Sequence, residues 1–237
     1  ERKLSQVPGT GILSVSVPGA VRAWEDALKR FGTITLASAL APAIDYAEHG
    51  FPVSTRLSLD IAAERQKVAA DSVLTRVFLA SVGPPTAGTL LVQRDLGATL
   101  RAIAEGGADA LYTGPLGARL ADFIGREGGL LVRDDLVRHR SQWQVPIATT
   151  YAGKTILAFP PNSQGMTFLQ LLNLAEVAQP AGAERNSAAY IHALAEGTKL
   201  AYTDRDRYLA DPEFAPVPVE KLLSKEYAKA LAGRIRP

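Results

Sequence analysis

The sequence predicts an α+β fold, and three observations predict it. Several stretches of ten or more residues carry apolar side chains at the three-and-four spacing of a helix, and residues that start or stop helices bound them. One region, 147–159, is rich in β-branched and aromatic residues and is interrupted by Ala152-Gly153-Lys154, which reads as a hairpin. A third strand is expected at Ile12–Val17, where Ile-Leu-Ser-Val-Ser-Val alternates apolar and serine. Helices with at least three strands and no repeat of a βαβ unit fit the α+β class.

In chain order, Glu1–Gly11 is polar and reads as a mobile entry to that first strand. Pro18-Gly19 ends the strand, and Ala20–Phe31 forms a helix with Val21, Trp24, Leu28 and Phe31 on its inward face. A second helix spans Leu36–His49, with Leu36, Leu40, Ile44 and Ala47 inward and Gly50-Phe51-Pro52 as its stop. Ser54 caps a third helix over Thr55–Ala70, and Asp71 or Ser72 starts another that runs through Phe78 to Ala80. Gly83–Gly88 is a loop by composition. Amphipathic helices follow at Gln93–Glu105 and, with Pro115 at the first position, at Leu116–Arg126. A turn of helix at Ala108–Tyr112 lies between them, and a short helix at Arg133–His139 follows.

The region from Pro146 to Val177 organises the second half. Strands Ile147–Tyr151 and Thr155–Phe159 lead to Pro160-Pro161, which cannot extend a ladder. Asn162-Ser163-Gln164-Gly165 is then a polar turn, with Asn162 or Ser163 as cap of a helix that is nearly apolar all round. A helix of that kind is buried between a sheet and other helices. Its first backbone N–H groups open on the turn, so Asn162, Ser163, Gln164 and Gly165 are the candidate substrate-pocket residues. Ala178–Arg185 reads as a loop, Asn186 or Ser187 as the cap of a long helix to about Arg207, and Val219–Leu231 as a closing helix.

Composition excludes several functions. A net charge of +2 spread over 237 residues offers no basic face for nucleic acid or a membrane surface. No apolar run approaches the roughly 18 residues of a membrane span. The absence of cysteine excludes disulfides, thiol catalysis and cysteine-held metals within the chain. His49, His139 and His192 are far apart and read as structural, so no metal or other cofactor is expected. Gly9-Thr10-Gly11 lacks the third glycine of a dinucleotide turn, and Ser163 follows Asn162 rather than the Gly-x of a nucleophile elbow. Asp204-Arg205-Asp206-Arg207 reads as a solvated or capping charge network in which Asp204 and Arg207 pair at i,i+3. No catalytic residue is assigned within this chain.

A succession of motifs carries one resemblance. Ser16–Val21 and Pro42–Ser54 are followed by Leu100–Glu105 with Ala108–Gly114, and by Gly128-Gly129-Leu130 with Asp134-Asp135-Leu136. Pro160–Gly165, Ala201–Arg205 and Tyr208–Pro212 complete it. In order and spacing the chain resembles the large subunit of the γ-glutamyltranspeptidases, over nearly its whole length. The resemblance implies an N-terminal-nucleophile hydrolase with a four-layer αββα sandwich, made as one inactive precursor that cleaves itself. It implies a small-subunit partner that begins with the nucleophilic threonine, whose own α-amino group activates the hydroxyl. The implied substrate is a small γ-glutamyl amide such as glutathione, with the acyl group passed to water or an amino acceptor. Two alternatives stand beside it: a cephalosporin-type acylase of the same fold, and a non-catalytic scaffold or binding module.

The chain departs from the family pattern in three places. No Arg-Glu-x-Ala-Pro segment precedes Ser16-Val17-Pro18-Gly19, so Arg2 takes no substrate-carboxylate role. No threonine answering to the nucleophile occurs before Pro237, and the start on Glu1 fits a processed or truncated product. The central turn reads Phe-Pro-Pro-Asn-Ser-Gln-Gly where many members have Pro-Pro-Pro-Ser-Ser-Gly-Gly. All 237 residues are expected to be one large-subunit segment of a single two-chain domain: entry and strand to 17, mainly helical over 18–140, hairpin–turn–helix over 146–177, helices and linker over 186–237. Alone, it should be inert and prone to aggregate through unpartnered strand edges. Members are often exported, which favours a periplasmic or secreted location over the cytoplasm.

Overall fold

A computed structural model of the chain describes residues 4–79, 83–179 and 182–236. The start of the polar entry (Glu1, Arg2 and Lys3), Ala80, Pro180-Ala181 of the expected loop, and Pro237 lie outside the described residues. The chain divides into two compact units, 1–141 and 142–237.

The first unit is helical with one small sheet. Its elements are α1 (Ala20–Phe31), α2 (Leu36–His49), β1 (Phe51–Pro52), α3 (Thr55–Ala63), α4 (Arg65–Ala69), α5 (Ser72–Phe78), β2 (Leu90–Leu91), α6 (Arg94–Gly106), α7 (Asp109–Tyr112), α8 (Pro115–Arg126) and α9 (Arg133–Arg138). Val21, Leu40, Ile44, Ile103, Tyr112, Ile124 and Leu136 form its core. Tyr112 is fully buried; its hydroxyl donates to the Pro18 carbonyl at 2.6 Å and accepts the Arg22 N–H at 3.2 Å.

Three expectations for this unit are corrected. Ile12–Val17 is not a strand: Ile12–Ser14 is a 3-10 turn that starts from Gly11 at φ +86°, where glycine alone is unstrained, and both the N–H and the hydroxyl of Ser14 return to the Gly11 carbonyl. The helix expected over Thr55–Ala70 breaks at Glu64 into α3 and α4. On α1 the inward face is Val21, Glu25 and Leu28, while Trp24 and Phe31 are exposed. Glu25 faces inward because its carboxylate accepts the Ala108 N–H at 3.1 Å and Lys29 Nζ at 2.8 Å. Burial pushes the Glu25 carboxyl up, but those hydrogen bonds and the neighbouring cations hold it below the ordinary value. β1 and β2, an antiparallel pair of two residues each, were too short for alternation to reveal.

The second unit comprises β3 (Ile147–Tyr151), β4 (Lys154–Ala158), α10 (Gly165–Ala178), α11 (Ala188–Tyr208), α12 (Val219–Leu223) and α13 (Lys225–Ala232). The hairpin closes on two residues rather than three. Ala152 and Gly153 sit at φ 49° and 76°, and Lys154 already pairs with Tyr151. Alanine in that region costs about 1 kcal/mol, and the Ala152 N–H is held by Glu176 Oε1 at 3.1 Å. The helix expected over Val219–Leu231 breaks at Ser224, whose hydroxyl caps α13 by accepting the Tyr227 N–H at 3.1 Å. α11 buries small residues at four-residue spacing, Ala193, Gly197 and Ala201, so that α10 packs closely on it, while Ile191 and Tyr202 stay exposed.

Candidate functional site

The turn that links β4 to α10 stands where the sequence placed it. Pro161 is buried, Asn162 and Gln164 are exposed, and Ser163 and Gly165 are half-buried. The Ser163 N–H returns to the Pro160 carbonyl at 3.1 Å, and the Pro161–Asn162 peptide bond is cis. The N-cap of α10 is Gln164 and not Asn162 or Ser163. Ser163 nonetheless satisfies a helix donor, accepting the Gly165 N–H at 3.2 Å while its hydroxyl donates to the Phe159 carbonyl at 3.1 Å. A serine whose proton is given to a backbone carbonyl has no base to activate it, so Ser163 is a positioning group here and not a nucleophile.

Gly165 lies against the end of β4. A Cβ on it would overlap the Phe159 carbonyl oxygen and come within 2.9 Å of the Phe159 nitrogen and 3.0 Å of Ala158 Cβ. The strand can therefore feed the helix only through glycine at this position.

Beneath the turn, α10 departs from the apolar helix the sequence suggested. Met166, Leu169 and Leu174 are buried, but so are Thr167, Gln170 and Asn173, a polar stripe recurring every three residues. Gln170 Nε2 donates to Asp204 Oδ2 at 2.6 Å, and the Tyr227 hydroxyl donates to the same carboxylate at 3.0 Å. Asp204 is thus buried between α10 and α13, and the expected pair with Arg207 does not form; Arg207 lies over the Tyr208 ring. Asn173 Oδ1 accepts Thr149 Oγ1 at 2.6 Å and Lys225 Nζ at 2.7 Å, and its Nδ2 donates to the Leu223 carbonyl at 2.9 Å. The spacing Gln170-x-x-Asn173 carries this network and is readable in the sequence once polar residues are counted as well as apolar ones; Thr167, buried one turn earlier, makes no hydrogen bond through its hydroxyl.

Burial, with the hydrogen bond and charge of Asp204, pushes the Tyr227 phenol up to about 12. Raised above its ordinary value of 10.0, the protonated phenol contributes stability that is whole below about pH 10 and is lost as the pH climbs through about 12. An alkaline titration followed by ultraviolet absorbance should show a phenol ionising near pH 12, and Tyr227→Phe should remove that step.

Arg205, next to Asp204, points outward to the turn. Its Nη1 lies 3.5 Å from Gln164 Oε1, its guanidinium stands 4.2 Å over the Tyr202 ring, and Nε and Nη2 both reach Asp206 Oδ1. Sequence reading grouped Arg205 with a solvated charge run, and only the packing of α11 against α10 brings it to Gln164. The histidines have local partners: His49 pairs with Asp45 at 2.8 Å, His139 stacks on Tyr112, and His192 meets the Arg236 carbonyl at 2.7 Å. Among the described residues no three His, Asp or Glu side chains gather as metal ligands. No described helix is long and apolar enough to cross a membrane. A cavity of about 840 Å³ opens where α10 ends, among Val177, Ala188, His192 and Lys229; it does not include the turn.

The family model described as gamma-glutamyltranspeptidase matches residues 1–237. The chain is 38% identical over 232 residues to a glutathione hydrolase-like proenzyme, YwrD, of Bacillus subtilis (strain 168), covering 98% of this chain and 44% of that protein. It is 41% identical over 219 residues to the acylase ACY 1 proenzyme of Pseudomonas sp. (strain SE83), covering 92% and 39%. The crystal structure of Helicobacter pylori γ-glutamyltranspeptidase superposes with a TM-score of 0.90 at 32% identity, over 99% of this chain and 68% of that one. The chain spans about two-fifths of the length of those curated relatives. Its helix-rich architecture is that of the N-terminal-nucleophile hydrolase fold. Matched by that family model from residue 1 to residue 237, the chain belongs to the γ-glutamyltranspeptidase family.

Proposed function

We propose that this chain is the large-subunit part of a two-chain amidase that cleaves γ-glutamyl amides of the glutathione type by acyl transfer to water or an amino acceptor. The observation that carries this reading is the family match over all 237 residues, with relatives named as proenzymes. In the two-chain form, a small subunit cut from the same precursor begins with the nucleophilic threonine. Its hydroxyl oxygen bonds to the γ-carbonyl carbon, its proton passes through the threonine's own α-amino group to the departing amine, and the carbon–nitrogen bond breaks. Water or an acceptor amine then attacks the ester and restores the threonine. Residues 1–237 supply scaffold and pocket wall to a single domain shared with the small subunit, and the enzyme works in the periplasm or outside the cell.

Within that assembly the turn Asn162–Gly165 faces the reacting amide. Its support is geometric: exposed Asn162 and Gln164 amides stand at the N-terminus of a 14-residue helix, whose first N–H groups favour developing negative charge. Expression of the full precursor, with intact-mass measurement for a second polypeptide and release of p-nitroaniline from γ-glutamyl-p-nitroanilide, tests the reading. A precursor that neither splits nor cleaves favours the non-catalytic scaffold. Cleavage of β-lactam side-chain amides in preference to the anilide favours the acylase, for which the 41% identity to ACY 1 and the Asn-Ser-Gln turn speak. Ser163→Ala and Gln164→Ala should each lower kcat/KM by about 3- to 10-fold, the loss expected for one hydrogen bond. Wild-type kinetics in both variants would remove the turn from the site.

A further inference from the structure

We propose that Arg205 is a specificity-determining residue, which selects amides whose departing amine carries a carboxylate. The assignment rests on the amidase reading and deepens it. Three features of the guanidinium support it. First, it is immobilised before any substrate arrives: the Tyr202 ring lies 4.2 Å below, Nε and Nη2 reach Asp206 Oδ1 at 2.9 and 2.7 Å, and the side chain is only 29% exposed. A fixed fork loses less entropy on binding than a free arginine would.

Second, its third nitrogen is underused. Nη1 lies 3.5 Å from Gln164 Oε1, well beyond the 2.9–3.0 Å at which a hydrogen bond has full strength. An incoming carboxylate oxygen can compete for that donor at little cost.

Third, the charges around the turn favour an anion. Asn162, Ser163 and Gln164 are neutral, and the α10 N-terminus adds the positive end of a helix dipole. Asp204 is turned inward onto Gln170 and Tyr227, so it does not oppose the guanidinium at the turn. Asp206, 67% exposed and paired with Nε and Nη2, takes back part of the Arg205 charge in water, where such a pair is screened. With Nε and Nη2 held by Asp206, Nη1 is the donor left to give an incoming carboxylate a charge-assisted hydrogen bond. A departing dipeptide or amino acid presents such a group, whereas an aryl amine does not.

The test uses the self-processed two-chain enzyme and two donors. Glutathione releases an amine bearing a carboxylate, and γ-glutamyl-p-nitroanilide releases one without. Arg205→Gln should lower the ratio of kcat/KM for glutathione to that for the anilide by about tenfold, through KM, as loss of a hydrogen bond to a charged group predicts. Arg205→Lys, which keeps the charge but not the fork, should restore part of the ratio. Gln164→Glu leaves Arg205 packed on Tyr202 but places a resident carboxylate at Nη1, and should lower the ratio in the same sense. A ratio equal to that of the wild type in Arg205→Gln and Gln164→Glu overturns the assignment, and so does an equal loss on both donors. A wild-type enzyme that cleaves neither donor overturns the γ-glutamyl reading and the Arg205 assignment with it.

Discussion

Gly165→Ala is expected to destabilise the protein by about 3 kcal/mol, the upper end of the ordinary cost of overpacking. Alanine at a helix position normally gains up to about 1 kcal/mol over glycine, so the sign is the test. The added methyl would overlap the Phe159 carbonyl oxygen and press on the Phe159 nitrogen and Ala158 Cβ. Two of those three atoms are backbone, and no rotamer change relieves them. The end of β4 and the start of α10 must move apart, which pulls Ser163 Oγ from the Phe159 carbonyl and the Gly165 N–H that it now bridges. Gly125, inside α8, is the control: a Cβ there meets nothing within 4 Å. Gly125→Ala should raise the melting temperature while Gly165→Ala lowers it. Equal shifts in the two variants would mean that the strand-to-helix junction has room that the backbone geometry denies.

The contrast between these glycines shows where the sequence was legible and where it was not. Periodicity located the helices of both units and the β3–β4 hairpin, because each buries one face against a neighbour and the pattern follows from that burial. It missed what depends on partners distant in the chain. Phe51–Pro52 pairs with Leu90–Leu91, and two residues are too few to alternate. Glu25 replaces Trp24 on the buried side of α1 because the Ala108 N–H, 83 residues on, needs an acceptor. Gly50 and Gly165 look alike in a sequence, yet Gly50 answers to its φ of +92°, whereas at Gly165 the Phe159 carbonyl oxygen, just past β4, occupies the space of a Cβ.

The candidate site divides in the same way. Asn162, Ser163, Gln164 and Gly165 were found because proline, small polar residues and glycine announce a turn before a helix. Arg205 and Asp204 were seen as a charge run and misread, since neighbouring residues on a helix point about 100° apart and nothing local says which one is buried. Asp204 is the buried one, with Gln170 and Tyr227 as its partners. Arg205 is left at the surface beside Gln164. Of these two adjacent residues of α11, Asp204 holds α10 through Gln170, and Arg205 stands beside its cap residue six positions earlier.

The same logic places the largest stability effect at Asn173, which is fully buried on α10 and serves three elements. Asn173→Leu keeps the branched outline of the side chain, raises the helix propensity and removes every polar atom. It leaves the Thr149 hydroxyl on β3 without its acceptor and the Leu223 carbonyl at the end of α12 without the donor that Asn173 Nδ2 supplies. Lys225 Nζ loses one of three acceptors but keeps the Thr150 carbonyl at 2.6 Å and Glu176 at 2.6 Å. A buried hydroxyl and a half-buried carbonyl orphaned at about 1–3 kcal/mol each, plus a weakened lysine, give an expected loss of about 3–5 kcal/mol. Thr149→Val deletes only the outermost contact of the hub and should cost about 1 kcal/mol. The two variants together should cost less than their sum, because leucine at 173 makes valine at 149 the better neighbour. Denaturant titrations of the four proteins measure that coupling. Strict additivity would mean that Thr149 and Asn173 do not share the hydrogen bond that joins the hairpin to its helix.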